Sequence, residues 1–127
     1  MHLKDENLAY VMTVDGGSLQ KFLDQIDRIC EWGSDRNITA DGGATALSQT
    51  KKMAEELQEF IDAKTPEEAQ DAIGDMFVVL VQMCRLRGIM LDEAVDGAWN
   101  EIKERKGRME NGIFVKEQDA KNNTQDA

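Results

Sequence analysis

Apolar residues recur along this chain at the spacing of three and four that buries one side of an α-helix. Leu19, Phe22, Leu23, Ile26, Ile29 and Cys30 form the first stripe, which predicts a helix from Ser18, read as its N-cap, to about residue 32. Leu47, Met53, Leu57, Phe60 and Ile61 mark a second helix over about 46–63. The strongest start signal is Thr65-Pro66-Glu67-Glu68: a capping hydroxyl, a proline whose missing N–H costs nothing in a first turn, and a Glu three residues after the cap. A third helix therefore runs from there to about Arg87, with Gly88 as its stop. Its middle, 73–86, is apolar almost all round, which predicts a central helix or one lying in a subunit interface. Leu91, Ala94, Val95, Ala98 and Ile102 give a fourth helix, ended by Lys103-Glu104-Arg105-Lys106 with Gly107 as the cap.

The connecting stretches are less regular. Residues 8–14 carry a short apolar patch before the turn signal Asp15-Gly16-Gly17, which reads as an arm or one short strand. Residues 34–45 are polar, contain Asp41-Gly42-Gly43, and make a longer connection than a small helical bundle usually needs; such loops often serve ligands. Gly112-Ile113-Phe114-Val115 reads as a short extended or docking segment, and the polar stretch that follows is expected to be disordered. The expected organisation is an N-terminal arm over 1–17, one all-α domain over 18–116 and a tail over 117–127. A chain of 127 residues, 41% hydrophobic and with a single proline, fits one modest core, and we expect a four-helix-bundle-like protomer.

Charge narrows the function classes. A formal net charge of −10 argues against a general nucleic-acid binder, because phosphate contacts need clustered Lys and Arg. An anionic ligand would need a metal bridge, while most of the 25 acids are read as an ordinary solvated surface. Cys30 and Cys84 have no second Cys or His at metal-ligand spacing and are read as buried, reduced thiols. The charged N-terminus lacks the apolar core of a signal peptide, and the longest apolar stretch, 76–84, is interrupted by Gln82 and too short to span a bilayer. The expectation is a soluble, cytoplasmic protein with no membrane partner.

Only clustered acids carry chemistry. Glu55, Glu56 and Glu59 project from one side of the second helix, and Gln49 and Lys52 extend that stripe backwards. In a chain this acidic the triplet alone is weak. Asp71 and Asp75 raise it: they are four apart at the start of the next helix, and Asp75 lies inside the apolar run, where an ionised carboxylate is costly unless paired or metal-bound. A hard cation such as Mg²⁺, held by two or more carboxylates with room for water and phosphate oxygens, is one use of such a set. The competing reading is that Asp75 pairs with a Lys or caps a loop.

Glu55-Glu56-Leu57-Gln58-Glu59 followed by Ala72-Ile73-Gly74-Asp75 resembles the split EExxE…ExxD signature of the all-α nucleoside triphosphate pyrophosphohydrolases, the MazG-like group. Gln49-Thr50-Lys51-Lys52, the segment 71–75, the segment 100–107 and the segment 112–116 look like its short phage-type members, which would work in a host cytoplasm. The resemblance implies Mg²⁺-dependent hydrolysis, with Mn²⁺ as a substitute, of a (deoxy)nucleoside triphosphate to the monophosphate and pyrophosphate. On matching positions it makes Glu56, Glu59 and Asp75 metal ligands and Glu55 an outer-shell carboxylate. One position departs: the Glu that opens ExxD is Ala72 here, and Asp71, about 100° away on the helix, is the candidate replacement.

The remaining residues agree with chemistry that needs no protein nucleophile, since there is no Cys-His or Ser-His-Asp arrangement and the single His is His2. Lys52, Lys103, Arg105 and Lys106 are candidate phosphate contacts, with Asn100 as a hydrogen-bonding partner; their plainer readings are an intrahelical ion pair for Lys52 and dipole complementation for the others. Trp32 and Trp99 are candidate stacking surfaces for a nucleobase, against core packing as the alternative. We expect a homodimer or a dimer of dimers pairing through the most apolar helix. Narrower substrates (dUTP, phosphoribosyl-ATP, an alarmone) form the second reading, and a non-catalytic acidic bundle that binds a basic partner forms the third.

Overall fold

The computed structural model describes residues 4–8, 10 and 17–117. The chain divides into two compact units, Met1–Ile89 and Met90–Ala127. The first contains α1 (Asp5–Leu8), α2 (Ser18–Asp35), α3 (Ala46–Asp62) and α4 (Pro66–Arg87); the second contains α5 (Leu91–Ile102), β1 (Gly107–Glu110) and β2 (Ile113–Lys116). The fold is all-α, as expected, with one small hairpin added. The patch at 8–14, expected as an arm or short strand, lies mostly outside the described residues, and the tail beyond 117 lies wholly outside them; Asp5–Leu8, which ends on the first residue of the patch, forms a single helical turn.

The acid-bearing helices are begun by local chemistry. Thr45 caps α3 in a reciprocal box: its hydroxyl accepts from the Ser48 N–H at 3.0 Å while the Ser48 hydroxyl accepts from the Thr45 N–H at 3.0 Å. Thr65 caps α4 by accepting from the Glu68 N–H at 3.1 Å, with Pro66 in the first helical position. The Glu68 carboxylate reaches back to the Lys64 N–H at 3.0 Å, one residue before the cap. At the far end Gly88 adopts φ 66°, a left-handed conformation open to glycine at little cost, and its N–H returns to the Arg85 carbonyl.

Three sequence expectations need correction. Ser18 is the first helical residue of α2 rather than its cap; Gly17, at φ 100°, holds the cap position. The same helix runs three residues past 32, to Asp35, because its last turn packs on α4. Gly107 does not cap α5, whose C-cap is Lys103 and whose last turn carries no basic residue; Gly107 opens β1, where a Cβ would collide with the Val115 carbonyl. The segment at 112–115 is extended, and its antiparallel partner is β1, with Gly107 opposite Lys116 and Glu110 opposite Ile113. Asn111 and Gly112 make the turn at φ 52° and 81°, the positive-φ pair that matches hairpin twist.

Within the first unit α4 is central. α3 folds back along it through a three-residue connection, and α2 lies on another side, where the rings of Phe22 and Phe77 meet at 5.9 Å. Ala72, Val79 and Val81 form its buried apolar core. The cysteines are half-buried free thiols rather than fully buried ones. Among the described residues no helix is long and apolar enough to cross a membrane.

Because Thr65 supplies the cap that starts α4, replacing it by Ala is expected to destabilise the protein by about 1 kcal/mol in a urea melt. A change below about 0.3 kcal/mol would show that the α3–α4 turn does not depend on that hydroxyl.

Candidate metal centre and adjoining cavity

The short return from α3 to α4 brings the two acidic stretches level. Glu56, Glu59 and Asp75 each offer a carboxylate oxygen within 4.8 Å of the other two. Their surroundings differ: Glu56 is buried, Asp75 half-buried and Glu59 exposed. Lys52, one turn before Glu56, lies 3.3 Å from Glu56 Oε1 and 3.4 Å from Glu55 Oε2. The other oxygen, Glu56 Oε2, is buried, and among the described residues no N–H or ammonium group hydrogen-bonds it. An ionised oxygen in that condition is costly, and a cation resolves it. An acidic triad with an orphaned buried oxygen can therefore hold a metal ion, and hard carboxylate oxygens suit a hard divalent one.

The electrostatics carry the same signature. Glu59 is raised above its ordinary 4.5, first because a proton on it is shared with the Glu56 carboxylate and then through repulsion by Glu56. Asp75 is raised above its ordinary 3.8, first by desolvation and then by the charges of Asp71 and Glu56. Lys52 is raised by its hydrogen bonds to Glu56 and Glu55, so it stays protonated. Three carboxylates and one ammonium leave a net deficit of positive charge at the site.

Beside the carboxylates opens a cavity of about 700 Å³. Its floor comes from Gln49, Lys52 and Glu56 on α3 and from Asp75, Val78, Val79 and Gln82 on α4. Arg28, Ile29 and Trp32 on α2 form a wall, joined by Ile38 from the following loop. The Trp32 ring is covered by the Arg36 guanidinium at 4.5 Å, and Arg36 also donates to the Trp32 carbonyl at 3.2 Å. The cavity thus has a charged end at Glu56 and Asp75 and a largely apolar remainder, the division a phosphorylated aromatic ligand would need.

The expected site residues fall into three groups. Glu56, Glu59 and Asp75 converge; Lys52 and Glu55 stand beside them, and Trp32 lines the adjoining cavity. Asp71 is exposed and outside the convergent set, although it shares a smaller cavity of about 360 Å³ with Asp75 and its charge acts on that residue. Ala72 is 1% exposed, so the position that the signature fills with Glu is here part of the packed interior. Asn100, Lys103, Arg105 and Lys106 belong to the second unit. There Lys103 donates to Asn100 at 3.0 Å, Arg105 lies 4.0 Å from Glu101, and Asn100, Arg105 and Lys106 line a separate cavity of about 400 Å³. Trp99 is also in that unit and is exposed, against the core-packing alternative.

Sequence reasoning missed Arg28 and Gln82. Arg28 stands one turn before Trp32 on the same side of α2, and among the described residues no carboxylate or carbonyl engages it. Gln82 is a lone amide in an apolar run, and that isolation was the available signal.

Fold and site together describe an all-α protein with an acidic triad that could hold a metal ion, beside a cavity lined by α2, α3 and α4. The chain belongs to the phosphoribosyl-ATP pyrophosphohydrolase family, whose model matches residues 19–106. Membership makes it a pyrophosphohydrolase, an enzyme acting on acid anhydrides, and supports the wider superfamily named by the EExxE…ExxD resemblance. Searches of curated proteins and of solved structures each returned no match.

The raised carboxylates set a pH dependence. In the window just above the ordinary values of 3.8 and 4.5 the folded state holds more protons than the unfolded chain, so these two groups contribute stability that falls as pH rises. Urea melts of metal-free protein between about pH 4 and pH 7 should show this fall, and Asp75→Asn should flatten it. An unchanged slope in Asp75→Asn would contradict the carboxylate cluster as its source.

Proposed function

We propose that the protein hydrolyses the triphosphate of a nucleotide between its α and β phosphates, releasing pyrophosphate, with a divalent cation held by Glu56, Glu59 and Asp75. The observation that carries this reading is Glu56, which lines a cavity large enough for a nucleotide and whose buried Oε2 has no hydrogen-bond partner among the described residues. Mg²⁺ is the first choice, with Mn²⁺ as a substitute, because all three ligands are carboxylates. The bound cation would supply charge neutralisation of the triphosphate and the Lewis acidity that makes water a competent nucleophile.

The chain's own residues do the rest. Lys52, kept charged by Glu55 and Glu56, aligns both carboxylates and presents an ammonium to phosphate oxygens. Glu55, exposed at the edge of the cluster, is the proton acceptor for the attacking water. Arg28 supplies a second cation to the cavity, and Trp32 an aromatic surface for the base. Asp71 stands as an outer carboxylate that tunes Asp75, with a second-metal role open to it on the neighbouring cavity. Phosphate contacts from Asn100, Lys103, Arg105 and Lys106 rest on the sequence alone.

Among substrates, ordinary (deoxy)nucleoside triphosphates suit a cavity with one charged end, and the family match favours phosphoribosyl-ATP as the second reading. The finer likeness to short phage-type MazG-like enzymes belongs to the same proposal. A second copy of the chain is the proposed partner. Leu57, Phe60 and Ile61 on α3 and Ile73 and Leu80 on α4 are each 36–63% exposed, more apolar surface than one hairpin ordinarily leaves to water. Pairing of two such hairpins gives a homodimer, and a repeat of the contact a dimer of dimers.

Purified protein with Mg²⁺ and a panel that includes phosphoribosyl-ATP is expected to release pyrophosphate, and Glu56→Gln to lower kcat by at least about 100-fold. Release of inorganic phosphate, or full activity in Glu56→Gln, would overturn the reading. Light scattering should give a dimer or tetramer mass for the wild type and a smaller species for Ile61→Glu; a monomeric wild type would remove the partner proposal.

A further inference from the structure

α2 supplies a wall of the cavity but none of its carboxylates, so something must hold that wall at the right distance from the α3–α4 floor. The contacts that do so are polar and come from one short stretch of α4. Gln82 donates to the Ile29 carbonyl at 3.2 Å. Arg85 donates through Nη1 to the Cys30 carbonyl at 2.7 Å and to Gln82 Oε1 at 3.2 Å, and through Nη2 to the Ser34 hydroxyl at 2.6 Å. Gln82 is 1% exposed, the largest fully buried side chain among the described residues, and it lines the cavity as well.

An amide at so buried a place is unexpected for packing alone, since an apolar residue of similar volume would fill it without the cost of desolvation. Its two hydrogen-bonding ends are both used, which sets its orientation. The opposing surface is shaped to receive it: at Gly33 a Cβ would lie 2.6–2.8 Å from the Gln82 amide atoms, so only glycine permits this approach. The guanidinium of Arg85 spans the C-terminal half of α2, from the Cys30 carbonyl to the Ser34 hydroxyl. Contacts run in step along both helices, Phe22 with Phe77, Ile29 with Gln82 and Cys30 with Arg85, so α2 and α4 are parallel. Asp75 stands two turns before Gln82 on α4, which puts the carboxylates and the polar contacts at opposite ends of the cavity floor.

We propose that Gln82 and Arg85, seated on Gly33, are positioning residues that set the distance of the Trp32 wall from the floor and so govern how tightly the nucleoside end of the substrate is held, without touching the metal-binding end. This rests on the reading of the cavity as the nucleotide site. Arg85→Lys keeps the charge but has a single nitrogen in place of the planar fork whose Nη1 and Nη2 reach Cys30, Gln82 and Ser34 together, so it loosens the wall. Gly33→Ala removes no hydrogen-bonding group and favours helix, yet its methyl group displaces the amide.

Both variants should raise KM for the best nucleotide of the panel, and Kd for α,β-imido-ATP with Mg²⁺, by about tenfold, while kcat at saturation stays within about twofold. Binding of Mn²⁺ alone should be unchanged, amide hydrogen exchange should accelerate over 28–35, and exchange over 52–59 should stay as in the wild type. Where Arg85→Lys does not fold, Gly33→Ala carries the test. Variants that hold the analogue as tightly as the wild type, or that lose Mn²⁺ in parallel, overturn the positioning role alone. A wild type that binds Mn²⁺ but not the analogue overturns the nucleotide reading and the positioning role with it.

Discussion

The burial of one carboxylate, Glu56, is the constraint on which the rest of the first unit depends. A charge removed from water needs compensation, and Lys52 supplies it to only one of the two oxygens. The second lies among further carboxylates, Glu59 and Asp75; Glu59 is raised in pKa first by sharing a proton with Glu56, and Asp75 first by its own desolvation and then by the charges of Asp71 and Glu56. A helical hairpin that was only a structural element would have little reason to keep three acids in that place. The short connection between α3 and α4 and the two threonine caps fix the register that puts them there.

α4 combines two tasks on one rod. Its residues Ala72, Val79 and Val81 give the unit its core, while Asp75, Gln82 and Arg85 interrupt the apolar run at the places where chemistry or geometry needs a polar group. Asp75 serves the carboxylate end of the cavity and the other two serve the α2 wall. Leu57, Phe60 and Ile61 on α3 and Ile73 and Leu80 on α4 are left as exposed apolar surface. An apolar helix interrupted by a few committed polar groups explains why so short a unit can bury few side chains and still hold a defined cavity.

Much of this was legible beforehand, for identifiable reasons. The α4 start was readable because capping is local: Thr65-Pro66 acts through atoms a few residues away. Glu56, Glu59 and Asp75 were readable because helical spacing and a hairpin-length connection bring them level. The strand β1 was missed, although Asn111-Gly112 between two short runs is a hairpin signal in itself; the basic stretch before it was read as a helix terminus and Gly107 as its cap. Gln82 was passed over because a single amide in an apolar run is informative only once its neighbours on α2 are known. Asp71, the candidate replacement for the missing Glu, lies outside the convergent set, and Ala72 is packed inside.

The sequence by itself determined the four long helices, the Thr65 and Gly88 caps of α4 and the two acidic stretches, because each depends on periodicity or on contacts within a turn. Only the tertiary structure decided which acid is buried, which oxygen lacks a donor, and that Arg28, Trp32 and Gln82 face one cavity with Glu56 and Asp75. Those facts depend on residues more than fifty positions apart, such as Ile29 with Gln82 and Cys30 with Arg85, brought together by the packing of α2 on α4. Burial and close approach are properties of that packing, and no spacing along the chain encodes them.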